Sequence, residues 1–122
     1  MKNFRKIILG GMLLSALALV GCGNASQIQI IHTTDAPEAI GPYSQAVVVE
    51  KTVYVSGQIA VDPKTNQLVI GDISEQTRQV MKNIRAILLA ASSDFDHVLK
   101  TSIFLTDLNN FTTVNEIYSS LK

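Results

Sequence analysis

Two short stretches of the chain set polar side chains beside backbone turns: Ala39-Ile40-Gly41-Pro42-Tyr43-Ser44-Gln45-Ala46 and Val55-Ser56-Gly57-Gln58-Ile59-Ala60-Val61-Asp62-Pro63. A phenol can donate a hydrogen bond, and a serine hydroxyl can both donate and accept one. Tyr43 and Ser56 are therefore candidate site residues. Gly41-Pro42 sets a rigid turn before Tyr43, and Gly57 lets the backbone leave its strand close to whatever Ser56 touches. Ordinary turn bonding is the alternative reading of both hydroxyls.

The elements that must hold these groups are legible from residue pattern. Residues 47–55 form two extended runs rich in β-branched and aromatic side chains, joined near Glu50-Lys51-Thr52, which predicts a hairpin with a hydroxyl at each outer end. Gln27, Ile28, Gln29 and Ile30 alternate as a half-buried strand does. Asp62-Pro63-Lys64-Thr65-Asn66 reads as a turn with a short extended piece over 67–70 behind it. Asp72 and Glu75 form a variant capping box at a helix start. Behind it Ile73, Thr77, Val80, Met81, Ile84, Ile87, Leu88 and Ala91 recur on one apolar face. Arg78, Lys82 and Arg85 fall on the opposite side, as a solvated face does.

Ser92-Ser93-Asp94 closes that helix, and residues 98–106 read as a returning strand, hence a right-handed βαβ crossover. Phe111, Val114, Ile117, Tyr118 and Leu121 begin a second amphipathic helix, with Asn109 or Asn110 as its cap. Two helices with strongly apolar faces need a sheet to cover. The expectation is one α+β domain with both helices on one face of a mixed β-sheet.

The N-terminus reads differently. Lys2, Arg5 and Lys6 precede an almost wholly apolar run over 7–20, and Leu19-Val20-Gly21-Cys22 follows. Residues 1–21 have the layout of a secretory signal peptide, and 19–22 resemble a bacterial lipobox. The run falls short of the roughly 20 residues a membrane-spanning helix needs. Cleavage would leave Cys22 as the lipidated first residue of a tether over 22–26, anchoring the domain at 27–122 to a membrane of the cell envelope. By resemblance to enterobacterial sorting, Gly23 rather than an aspartate after the cysteine favours the outer membrane, with the periplasmic face as the alternative, if the host is Gram-negative. Cys22 is the chain's single cysteine, so neither an internal disulfide nor a thiolate metal cluster can form.

Composition is that of a globular protein, at 47% hydrophobic and 16% charged. Without residues 1–21, seven basic residues stand against ten acidic ones, a net charge of −3. No block of Lys or Arg remains that could neutralise several phosphates, which argues against a nucleic-acid partner. His32 and His97 have no neighbouring ligands at metal-binding spacing, so no metal site is expected.

The two opening stretches, with Asp62-Pro63-Lys64-Thr65, residues 75–91, 98–108 and 111–118, resemble the RidA/YjgF family over about 31–122. The resemblance implies a fold like the chorismate mutase of the Bacillus type, a homotrimer in full-length relatives, and deamination of 2-iminobutanoate or 2-iminopropanoate. In that reaction water attacks the imine carbon and ammonia leaves a 2-oxo acid, with no cofactor or metal. The same resemblance implies that Tyr43 and Ser56 are catalytic. It also implies that the Gly57 amide binds substrate and that Asn115 closes the pocket across a subunit boundary. A buried amide satisfying backbone groups is the alternative reading of Asn115.

Relatives continue past the second helix with an arginine motif for the substrate carboxylate and two strands, one bearing a functional glutamate. The expectation is thus a domain lacking its last strands, with weakened deamination. The rival readings are a non-catalytic envelope lipoprotein that binds a small metabolite or a protein, and a degraded gene product.

Overall fold

The structure, a computed structural model, describes residues 27–121. The signal peptide, the lipobox with Cys22 and the tether read from the sequence lie outside the described residues. Three strands form the main sheet in the order β1-β2-β3: β1 (Ile28–Ile31), β2 (Ala46–Val49) and β3 (Thr52–Val55). Both pairings are antiparallel, with Ile31 opposite Ala46 and Ala46 opposite Val55. The β2–β3 hairpin turns on two residues, Glu50 and Lys51, with Glu50 in the left-handed region at φ 56°. A second, two-stranded sheet pairs β4 (Val61–Asp62) with β5 (Gln67–Leu68). Its turn is closed by Asn66 N–H donating to the Asp62 carbonyl (2.8 Å) and Lys64 N–H to Asp62 Oδ1 (2.8 Å).

Alternation assigns the faces of the main sheet. Ile31, Ala46, Val48, Val53 and Val55 point into the core, where Ile87 of α1 (Ile73–Ala90) meets them with no exposed surface. The register puts Ile28, Ile30, Val47, Val49 and Tyr54 on the opposite face, where Ile28, Ile30 and Tyr54 are exposed. Both faces of this sheet are apolar.

The start of α1 is held as its sequence demands. Asp72 Oδ1 accepts from Glu75 N–H (2.9 Å) while Glu75 Oε2 accepts from Asp72 N–H (3.2 Å), the reciprocal capping box. At its other end Ser92 takes φ 56°, Ser93 N–H reaches the Leu88 carbonyl (2.8 Å), and Ser92 N–H reaches that of Leu89 (3.0 Å). This is a Schellman closure with serine where glycine is usual. Arg78, Lys82 and Arg85 are exposed, as their spacing implied. The second helix, α2 (Phe111–Leu121), buries Val114 and Ile117. It lies alongside α1, where Tyr118 and Leu121 pack on Met81, Leu88 and Phe95.

Two local expectations change. Residues 98–106 form no ladder, and the paired strands are all antiparallel, so the sheet is not mixed among the described residues. A strand exists only through a partner for its N–H and C=O groups. No described segment supplies one, and Leu99 and Phe104 stand more than nine-tenths exposed. α1 covers the sheet and α2 packs alongside α1, with Val55 of β3 against the cluster that Tyr118 and Leu121 of α2 also join. The cap before α2 is Asp107, which accepts from Asn109 N–H (2.9 Å) at the head of a 3₁₀ turn over Leu108–Asn110. Asn109 and Asn110 lie inside that turn. Among the described residues no helix is long and apolar enough to cross a membrane.

Candidate functional site

The loop over 33–45 and the strand exit over 56–61 face each other across a small cleft of about 70 Å³. Pro37, Ile40 and Tyr43 line one side, Gly57, Gln58 and Ile59 the other, and Gln45 also lines it. The cleft is well below the about 300–1,000 Å³ of pockets that enclose a drug-sized ligand.

Tyr43 is placed by a tight turn. Gly41 adopts φ 136°, open to glycine and strained for other residues, and the Tyr43 N–H closes back over Pro42 onto the Gly41 carbonyl (2.9 Å). The Tyr43 hydroxyl oxygen accepts from Ile40 N–H (3.3 Å). That bond uses a lone pair and leaves the phenolic proton free to donate into the cleft. The side chain is half exposed, so a ligand can reach it.

Ser56 is held the opposite way. Its Oγ–H donates to the Ser44 carbonyl at 2.5 Å, and its N–H donates to the Gln45 carbonyl at 3.0 Å, extending the β2–β3 pairing by one residue. With its proton committed, the hydroxyl can offer only lone pairs to anything else. Ser56 does not itself line the cleft; its neighbour Gly57 does. The Gly57 N–H has no acceptor among the described residues, and the space a Cβ would fill there is open for 4 Å. The two hydroxyls thus divide the roles, Tyr43 as donor and Ser56 as acceptor, with a spare backbone donor at Gly57.

Asn115 stands apart. It sits exposed on α2, outside the cleft, so the buried-amide reading does not apply to it. The amides that are buried are Gln45 and Asn83, at 2% and 0% exposure, and reading the sequence by motif singled out neither. Asn83 had a signal: it lies three residues after Val80 and four before Ile87, a polar residue inside an apolar helix face.

A larger hollow of about 370 Å³ lies on the other flank of the loop, between Thr34, Glu38 and Ile40 and the turn residues Pro63 and Asn66. None of the candidate residues lines it, so we place the chemistry in the smaller cleft. His32 pairs with Glu38 (3.3 Å) and His97 with Asp94 (2.6 Å), both at the surface. The Asp94 hydrogen bond raises His97 above its ordinary 6.5, and the same bond holds Asp94 below its ordinary 3.8. Among the described residues no three His, Cys, Asp or Glu side chains cluster as a metal would require.

Comparison with known proteins decides the family. The profile of the family described as Endoribonuclease L-PSP, the RidA/YjgF proteins, matches residues 33–122. The chain belongs to the RidA/YjgF family. It is 53% identical over 92 residues to a mouse 2-iminobutanoate/2-iminopropanoate deaminase, covering 75% of this chain and 68% of that protein. The human protein of the same name is 54% identical over 90 residues, 74% of this chain and 66% of its own length. The chain spans about two thirds of the length of these relatives. Among solved structures, the Rid-family protein YyfA of Yersinia pestis superposes with a TM-score of 0.76 at 49% identity, over 78% of this chain and 75% of that one. Escherichia coli TdcF, crystallised with bound serine, gives 0.72 at 42% identity, over 75% and 72%. Their likeness accords with the RidA-type α+β architecture of two helices and small antiparallel sheets.

Proposed function

We propose that this RidA/YjgF chain hydrolyses small 2-imino acids, 2-iminobutanoate and 2-iminopropanoate, to 2-oxo acids and ammonia. The observation that carries the reading is the opposed polarity of its two hydroxyls beside an unpartnered amide. A protonated imine gains water at its carbon and loses ammonia. The site must therefore donate at one atom, accept at another and hold a carboxylate. In the proposal, the Gly57 N–H takes a carboxylate oxygen and the Tyr43 hydroxyl donates to the reacting centre. The Ser56 Oγ, one residue outside the cleft lining at Gly57, accepts from the attacking water or the departing nitrogen. No metal or cofactor is called for.

The test is ammonia release from enzymatically generated 2-iminobutanoate. Acceleration over spontaneous hydrolysis is expected, and none by folded protein would refute the proposal.

Assembly and location belong to the same reading. The chain forms a homotrimer, in which Asn115 serves a neighbouring protomer's site. The apolar outer face of the sheet, with Ile28, Ile30 and Tyr54 exposed, supports this, because an antiparallel sheet that ends in water alternates apolar with polar. Light scattering tests it, and a monomer at working concentration would refute it. Lipidation at Cys22 places the protein at the cell envelope, supported by the basic start, apolar run and 19–22 motif. It predicts membrane fractionation that is lost in Cys22→Ala. The partner is the small imino acid and not nucleic acid, in keeping with the acidic balance of the residues after 21.

A further inference from the structure

Two carboxamides that take no part in the proposed chemistry hold the two walls of the cleft. Gln45 is buried beneath the loop that carries Tyr43. Its Oε1 accepts from Thr33 N–H (2.7 Å), and its Nε2 donates toward the carbonyls of Thr33 (3.0 Å), Ala36 (3.2 Å) and Pro37 (2.8 Å). Two amide protons face three carbonyls, so a flipped amide would set oxygen against oxygen three times and leave Thr33 N–H without an acceptor. The orientation is therefore determined. The backbone carbonyl of the same residue takes Ser56 N–H.

Asn83 does the same for the facing wall. Its Nδ2 donates to the carbonyls of Ile59 (3.2 Å) and Val61 (2.9 Å), and its Oδ1 accepts from Gln79 Nε2 (2.8 Å), which aligns it from one turn earlier on α1. Neither wall has much regular structure of its own: 33–40 is loop, and 56–60 lies between β3 and β4. A backbone without a ladder stays in one place only if something else satisfies it.

We infer that Gln45 and Asn83 are the positioning residues of this site, each anchoring one wall through its backbone carbonyls so that Tyr43 and Gly57 keep the spacing the substrate requires. The inference rests on the deaminase reading for its kinetic consequence and on hydrogen bonding alone for its physical one. The experiment separates the two.

Amide hydrogen exchange on the full chain reads the clamp without activity. Thr33 N–H, whose acceptor is a side chain, should exchange as slowly as amides of the β1–β2 ladder, and exchange at the rate of an exposed loop amide would overturn the inference. Gln45→Met removes the donors at similar volume, and Asn83→Asp keeps the acceptor for Gln79 while losing both donated bonds. Each should lower kcat/KM for 2-iminobutanoate by about tenfold or more and weaken binding of the product 2-oxobutanoate. Exchange should quicken at 36–43 or 57–61 respectively, with α1 amides still protected. Folded variants within about threefold of wild type, with unchanged exchange at those segments, would overturn it. If wild-type protein fails to accelerate deamination, the functional proposal falls, and the exchange and product-binding results still decide the clamp.

Discussion

Removing the Ser56 hydroxyl separates its structural duty from its chemical one. In the folded chain Oγ donates to the Ser44 carbonyl at 2.5 Å in a half-buried setting. In Ser56→Ala that carbonyl loses its partner, and a neutral hydrogen bond contributes about 0.5–1.5 kcal/mol net. For a domain of this size, about 1 kcal/mol corresponds to a fall in melting temperature of roughly 4–8 °C. The catalytic loss is a separate quantity. If Oγ accepts from a nitrogen leaving with positive charge, the lost bond is of the charged kind, about 1.5–3 kcal/mol. At 1.36 kcal/mol per tenfold, kcat/KM should fall by roughly tenfold to a hundredfold or somewhat more.

The assay follows ammonia and 2-oxobutanoate release from enzymatically generated imine at a temperature where the variant stays folded by circular dichroism. Ser56→Thr, which retains the hydroxyl, should recover most of the rate. A folded Ser56→Ala protein with wild-type kcat/KM would refute an acceptor role for Ser56. A variant melting at the wild-type temperature would refute the structural half of the argument.

Gly57→Ala should fold normally, because a Cβ there meets nothing within 4 Å, with stability changed by no more than about 1 kcal/mol. By filling the open space beside the free amide it should cut kcat/KM, and an unchanged rate would remove Gly57 from the binding site. Ser92→Gly relieves a left-handed φ of 56° at the C-terminal closure of α1. Strain relief exceeds the added chain entropy by about 0.5–1 kcal/mol, so thermal unfolding should rise by roughly 2–8 °C. The His97–Asp94 pair gives a pH signature. His97 has a raised folded pKa, so its contribution is complete below 6.5 and fades as pH climbs through the raised value. Asp94 has a lowered one, so its contribution is complete above 3.8 and is lost as pH falls through the lowered value. The pair therefore acts between those limits. By NMR titration His97 should move down toward 6.5 in Asp94→Asn, and an unmoved midpoint would show the bond absent in solution.

Local pattern was sufficient wherever the cause was local. The β2–β3 hairpin, the Asp72–Glu75 box and the apolar face through Met81, Ile87 and Leu88 all follow from periodicity or from a side chain reaching its own backbone three residues away. So does the Asp62–Asn66 turn. The Ala39–Ala46 and Val55–Pro63 stretches pointed to Tyr43, Ser56 and Gly57 because turn chemistry and the family resemblance sit in the same residues.

What needed the tertiary structure was every property that depends on a distant partner. Residues 98–106 have the composition of a strand yet no ladder, because strand formation is decided by a neighbour's hydrogen bonds. The direction of each hydroxyl was set by carbonyl and amide groups that the hairpin and the Gly41 turn bring to it. Gln45 and Asn83 could not be seen as anchors by motif, since their acceptors lie 8 to 24 residues away. An amide's side-chain chemistry is written in the chain, but whether it meets water or a cluster of buried carbonyls is decided only when the segments carrying those carbonyls have packed around it.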